Sequence, residues 1–185
     1  MEPFPATARA FASSFSGSGG ERYSVSFGDD RTSTNFVYDG WVYLTSSANN
    51  IANLEMDLNQ TMPNGQTVIY GVQCSGYSGT WEFTENAGSA WHPYGRWVSS
   101  GAKCNVRNWG KYQWHHIQIS YSRNNYGSVH YDAVYLDGAK STINRTVFGA
   151  RALGWGSSLV TNFQIDGSGS GSNTVFLDDL VIYRW

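Results

Sequence analysis

The chain has 185 residues, enough for one well-buried domain, and its 14% charged residues, 16% aromatic residues and 21 glycines fit a sheet-rich protein with many tight turns. A formal net charge of -2 and a pI near 6.0 exclude a basic field for nucleic acid or for an anionic membrane surface. No run of about 18 apolar residues occurs, so no membrane span is expected, and Met1-Glu2-Pro3 does not open a secretion signal; a secreted form would have had its leader removed.

In chain order, residues 1–20 read as a flexible lead-in, with a helix-like fragment over 6–12 and then Ser16-Gly17-Ser18-Gly19-Gly20, leaving 21–185 as a single domain. Residues 22–28 alternate as a strand with Tyr23, Val25 and Phe27 on one face. Residues 36–44 put Phe36, Tyr38, Val42 and Leu44 on one side and Val37, Asp39, Trp41 and Tyr43 on the other, so one of two aromatic faces is expected to be a working surface.

Residues 53–60 alternate strictly, with Leu54, Met56 and Leu58 pointing one way and Asn53, Glu55, Asp57 and Asn59 the other. Same-face neighbours on a strand lie roughly 6.5 to 7 Å apart at Cα. That is close enough for Glu55 and Asp57 to share a proton, a cation or a sugar hydroxyl. Met62-Pro63-Asn64-Gly65 turns the chain into a return strand over 66–74, with Val68, Tyr70, Val72 and Cys74 opposite Ile69, Gly71 and Gln73.

Residues 80–85 carry Trp81 and Phe83 on one side and Glu82 and Thr84 on the other, and 86–97 reads as an aromatic loop with Trp91, His92, Tyr94 and Trp97. Residues 111–122 and 128–136 follow as strands, joined by Asn124-Asn125-Tyr126-Gly127, and Asp137-Gly138 turns the chain again before a short strand over 143–148. Residues 161–166 repeat the pattern of the carboxylate strand, with Phe163 and Ile165 opposite Asn162, Gln164 and Asp166. A Gly-Ser loop over 167–172 then leads to a last strand over 174–185.

About nine or ten strands with no long helix and no fixed repeat indicate an all-β, two-sheet antiparallel sandwich or jelly roll, expected to be monomeric. Cys74 and Cys104 lack the spacing of a metal cluster and read as one disulfide, with two buried free thiols as the alternative. No Gly-x-Ser-x-Gly elbow is present, so serine esterase chemistry has no support.

The 54–60 strand, Trp114-His115-His116-Ile117 and the terminal Phe176-Leu177-Asp178-Asp179-Leu180-Val181-Ile182 together resemble the concanavalin A-like lectin and glucanase superfamily, over most of the chain beyond Glu21. The resemblance implies a jelly roll whose inner sheet curves into a sugar-binding groove, floored here by Glu55, Asp57, Asn59 and Gln73. Planar amides suit hydroxyl pairs and flat aromatic faces suit pyranose rings. Gln164, Trp41, Trp91, His92 and Trp155 complete the expected carbohydrate-binding set. His116, beside Gln118, is read as structurally satisfied.

Two branches place Glu-x-Asp on this strand, and the sequence departs from both. In laminarinase-type and lichenase-type retaining glucanases a second Glu follows as acid/base. Here that position falls on Asn59 or, with a bulge, Gln60, and an amide cannot protonate a leaving group. Legume-type lectins use the pair with a His on the return strand for calcium and a transition metal; Val68 or Ile69 stands there, so only an oxygen-ligated calcium remains open. Asp178 and Asp179 resemble the structural calcium strand of several carbohydrate-binding modules, against the alternative of capping backbone amides.

The expectation is a secreted, lectin-like domain binding a polysaccharide, with no required cofactor. Its rival is a retaining glycoside hydrolase with Glu55 as nucleophile, Asp57 tuning it and Glu82 or Glu85 as acid. A third reading is an interaction domain whose groove is occluded by the 86–97 loop.

Overall fold

The computed structural model describes residues 8–46 and 50–185. Eleven strands are present among these residues: β1 (Arg9–Ser26), β2 (Asn35–Leu44), β3 (Ile51–Thr61), β4 (Thr67–Ser75), β5 (Thr80–Asn86), β6 (Gly95–Lys103), β7 (Trp114–Arg123), β8 (Ser128–Leu136), β9 (Ala139–Phe148), β10 (Ala150–Arg151) and β11 (Leu159–Arg184). All pairings are antiparallel, in the order β6-β5-β4-β3-β11-β2-β7-β8-β9, with β1 on β11 and β10 on β4.

This ribbon of strands folds over on itself into two layers. Tyr70 of β4 stacks on Tyr121 of β7 at 4.9 Å between ring centroids, and Phe83 of β5 meets Tyr131 of β8 at 5.0 Å. These contacts place β3 to β6 in one layer, sheet I, and β2 with β7 to β9 in the other, sheet II. The core between them takes the alternate residues that the period of two assigns inward, among them Phe36, Tyr38, Leu54, Met56, Leu58, Val72, Ile117, Ile119 and Phe163.

β11 belongs to both layers. Residues 159–167 pair with β3 and residues 175–184 with β2, while β1 follows along the opposite edge from Val160 to Leu177. The glycines and serines face one another where this hairpin passes between layers, with Gly17 opposite Gly169 and Gly19 opposite Gly167. Small side chains let a two-stranded ribbon bend there without steric conflict.

Sequence composition alone therefore misread two segments. The flexible lead-in, where it is described, is the first half of β1, and the Gly-Ser loop over 167–172 is the middle of β11. Residues 1–7, with the start of the expected helix-like fragment, lie outside the described residues. The aromatic loop is also shorter than expected, since Gly95, Arg96 and Trp97 open β6.

Cys74 and Cys104 form the expected disulfide, tying β4 to the segment just after β6 across the intervening β5. With a sequence separation of 30 residues the chain-entropy model assigns the crosslink about 3.5 to 4 kcal/mol. Replacing both cysteines with Ala is expected to lower unfolding stability by about that amount, read as a shift in the urea midpoint at unchanged slope.

Candidate functional site

The outward face of sheet I carries a polar row that crosses the strands. In register, Arg22 of β1 faces Gln164 of β11, which faces Glu55 of β3, then Gln73 of β4, Glu82 of β5 and Ser99 of β6. A second row runs beside it through Ser24, Asn162, Asp57 and Gly71. The pairing of β3 with β4 is uninterrupted from Asn53 to Thr61, so these residues share a face because Leu54, Met56 and Leu58 are committed to the core on the other.

These polar groups are recessed, with Glu55 8%, Asp57 6% and Gln73 3% exposed. Among themselves they form a network. Gln73 donates from Nε2 to Glu82 Oε2 at 2.5 Å, Asn53 Nδ2 and Gln164 Nε2 donate to Asp166 at 3.3 and 2.9 Å, and the Ser24 hydroxyl donates to Asn162 Oδ1 at 2.7 Å. Acceptors outnumber donors. Among the described residues Asn53 Oδ1, Gln73 Oε1 and Asp57 Oδ1 are buried without a hydrogen-bond partner.

Glu55 and Asp57 contact one another through their carboxyl groups. Burial pushes both above the usual carboxylate range, Asp57 further than Glu55, and the Glu55 charge raises Asp57 again. Arg22 opposes both shifts, and Arg151 opposes that of Asp57. The pair therefore holds a proton at a pH where an isolated carboxylate would have released it.

Gly71 makes room for this pair. Its position lies where the β4–β5 pairing has ended and Thr84 fills the gap, accepting from Gly71 N–H at 3.0 Å and donating to the Ile69 carbonyl at 3.2 Å. A Cβ at Gly71 would lie 2.5 Å from Thr84 Cγ2 and 2.9 Å from Asp57 Oδ1, so any side chain there displaces the carboxyl.

No family model matches the chain, and no curated protein matches it. Among solved structures, an alginate lyase from polysaccharide lyase family 7 is 12% identical, with 97% of this chain and 79% of the lyase aligned at a TM-score of 0.51. The fold is the concanavalin A-like jelly roll. A second family 7 alginate lyase aligns over 84% of this chain and 63% of its own, with 12% identity and a TM-score of 0.39, so the chain spans less than two thirds of that protein. A Bacteroides ovatus GH16 protein from a mixed-linkage glucan PUL aligns over 88% of this chain and 74% of its own, with 9% identity and a TM-score of 0.48.

The jelly roll gathers most of the expected residues but not all. Glu55, Gln73 and Gln164 meet in one row that Glu82 extends, Asp57 stands in the row beside it, and Asn59 continues the same face of β3, its Nδ2 directed at the Val160 carbonyl at 3.5 Å. Gln60 is turned to the opposite side, where its Oε1 accepts from Arg123 Nε at 2.6 Å and the Tyr70 hydroxyl at 3.1 Å. With β3 regular from Asn53 to Thr61, the acid/base position implied by the glucanase resemblance is Asn59 and not Gln60.

Trp91 and His92 sit exposed on the β5–β6 loop, Trp91 at 75%, and Trp155 is exposed on the loop before β11. A hydrogen bond from Ala152 N–H to the Ala90 carbonyl at 2.7 Å joins these two loops at one end of sheet I. Glu85 is ion-paired to Arg96, off the row occupied by Glu82.

Trp41 belongs elsewhere. It lies on β2, on the outer face of sheet II, stacked on His116 at 4.4 Å, while His116 Nε2 and Gln118 Nε2 reach the Asp39 carboxylate at 2.7 Å each. Alternation shows that Trp41 points away from the core, but the choice of layer depends on pairing partners distant in sequence. Asp178 and Asp179 are in the same layer, Asp178 opposite Trp41 at a bulge in β11. Among the described residues no three His, Cys, Asp or Glu converge, so a calcium ion there would draw its remaining oxygens from backbone and water.

Two residues of the site, Arg22 and Arg151, were not anticipated. They border the row with Trp97, expected in the aromatic loop and found opposite Thr84 on β6, while Arg151 lies opposite Thr67 on β10. Parity within the strand read over 22–28 already sets Arg22 on the face opposite Tyr23, and would have placed Trp97 had β6 been read as a strand; Arg151 lies on a two-residue strand that carries no periodic signal.

Because the folded Glu55–Asp57 pair binds protons more tightly than the unfolded chain, it favours the folded state fully below the unfolded value of about 4, and that contribution is lost as pH rises through the raised folded values. Asp57→Asn removes the Asp57 part of this term and leaves that of the buried Glu55. Urea midpoints measured from pH 4 to pH 9 are expected to fall with pH in the parent and to fall less in Asp57→Asn, so that the difference moves in favour of the variant toward alkaline pH.

Proposed function

We propose that this protein is a carbohydrate-binding domain and that the recessed outer face of sheet I is where it holds a polysaccharide. The observation that carries the reading is the set of buried acceptors without donors, Asn53 Oδ1 and Gln73 Oε1, on adjacent strands of one face. An unsatisfied buried acceptor costs the folded protein about 1 to 3 kcal/mol, and a sugar hydroxyl supplies the missing O–H. Exposed Trp91 and Trp155 on neighbouring loops, with Trp97 on β6, offer flat apolar faces of the kind a pyranose ring covers. The fold shared with a polysaccharide lyase is consistent with this use of the sheet.

The hydrolase reading draws less support from the geometry. Both cross-strand neighbours of Glu55 are amides, Gln73 and Gln164, and Glu82 lies two strands away with the Gln73 side chain between. Two strand spacings set their Cα atoms about 9.6 Å apart, and Glu82 is engaged by Gln73 and not turned to Glu55 as a retaining pair needs. A carboxyl that keeps its proton is also a poor nucleophile.

The test is incubation with β-glucans, xylans, mannans and polyuronates, measuring retention on the insoluble or immobilised polymer and release of reducing ends. Retention of at least one polymer without release is expected, weakened about tenfold or more in Glu55→Gln. Release of reducing ends that vanishes in Glu55→Gln would overturn the binding reading in favour of hydrolysis.

A further inference from the structure

Each carboxylate on or beside the polar face of sheet I has a partner within the protein. Glu55 and Asp57 hold one another, Glu82 accepts from Gln73, Asp166 accepts from Asn53 and Gln164, and Glu85 pairs with Arg96. The two arginines bordering the row differ. Arg22 is exposed at the edge, opposite Gln164, and makes no hydrogen bond or ion pair among the described residues. Arg151 is the more unusual, because it is 8% exposed and still forms no ion pair among the described residues.

The position of Arg151 follows from β10. This two-residue strand takes the edge of β4 where β5 has left it, placing Arg151 opposite Thr67, on the face that carries Gly71 and Gln73. The guanidinium packs against Gly95, 2.8 Å from where a Cβ would stand, and lies within electrostatic reach of Asp57 without touching it. Among the described residues its one hydrogen bond runs from Nη2 to the Glu85 carbonyl at 3.4 Å. A guanidinium has five N–H donors and stays charged at any physiological pH, so it cannot relieve its burial by losing a proton as a lysine can. What relieves it is an anion, and a planar carboxylate matches its fork through two parallel hydrogen bonds.

Resting on the carbohydrate-binding reading above, we propose that the groove selects a uronic acid: a carboxylate of the polysaccharide binds Arg151 beside the Glu55–Asp57 pair, and Arg22 on the opposite side of that pair meets a second carboxylate along the polymer. A neutral sugar satisfies the acceptors of Asn53 and Gln73 but leaves the buried guanidinium unpaired. A polyuronate satisfies both, hydroxyls of one residue donating to the amides and the carboxylate of another accepting from Arg151.

The test is affinity electrophoresis of the full chain through gels containing homopolymers of galacturonate, glucuronate or mannuronate, each beside its carboxyl-reduced neutral form, and through dextran sulfate. Expected is retardation by at least one polyuronate, lost on carboxyl reduction and not reproduced by dextran sulfate at equal charge. Arg151→Gln is expected to weaken that binding about tenfold or more, and Arg151→Lys to restore part of it. Arg22→Gln, at an exposed position, serves as the variant free of folding risk and is expected to weaken binding severalfold. Equal retardation by a polyuronate and its reduced form, or by dextran sulfate, overturns the uronate assignment, as does unaltered binding in a folded Arg151→Gln. Binding to neutral polymers alone does the same while leaving carbohydrate binding intact. Binding to no polymer, acidic or neutral, overturns the groove reading itself.

Discussion

The register of β3 between β4 and β11 is the constraint on which core and site both depend. Leu54, Met56 and Leu58 are essentially inaccessible on one face while Glu55, Asp57 and Asn59 occupy the other. A slip of one residue would drive two carboxyls into an apolar core and expose three apolar side chains, a penalty far larger than any gain from alternative pairing. Gln60 fixes the end of the strand. Its Nε2 donates to the carbonyls of Asp30 and Ser33 at 3.0 and 2.9 Å while its Oε1 accepts from Arg123 and Tyr70, so the strand cannot shift without breaking four hydrogen bonds.

From that register the cross-strand row follows almost without choice. Once Glu55 is opposite both Gln73 and Gln164, the residues next in line are set by the pairings of β4 with β5 and of β11 with β1. β11 couples the two layers, because the strand that supplies Gln164 to one sheet supplies Asp178 to the other. The disulfide holds the far edge, where the pairing of β4 with β5 covers only Val72 to Cys74.

What was legible in the sequence followed the period of two, and what was not followed from long-range pairing. Strict alternation over 53–60 and 161–166 revealed which residues share a face, and the two stretches prove to be hydrogen-bonded neighbours. The same rule gave the outward face of Trp41 correctly but not its layer, since parity is local and layer assignment is topological. Residues 16–20 and 167–172 read as loops because glycine and serine are poor strand formers in isolation. Here each segment is the other's partner, and backbone pairing over a long hairpin outweighs what their side chains lack. β6 escaped notice for a related reason, as its Ser and Gly residues alternate with little apolar contrast.

Arg151 shows how far such pairing can carry chemistry that composition hides. The chain is slightly acidic overall, and counting charges along it gives no hint that a buried cation faces the polar row. The carboxylates nearest the row are held by amide donors, by one another or by Arg96, and among the described residues none forms an ion pair with Arg151. Unpaired acceptors and an unpaired guanidinium on one face each lower the stability of the empty protein, and an apolar or fully bonded surface would have avoided both costs. A ligand bearing hydroxyls and a carboxylate removes the two penalties together, so its binding free energy draws on strain the unliganded fold already carries.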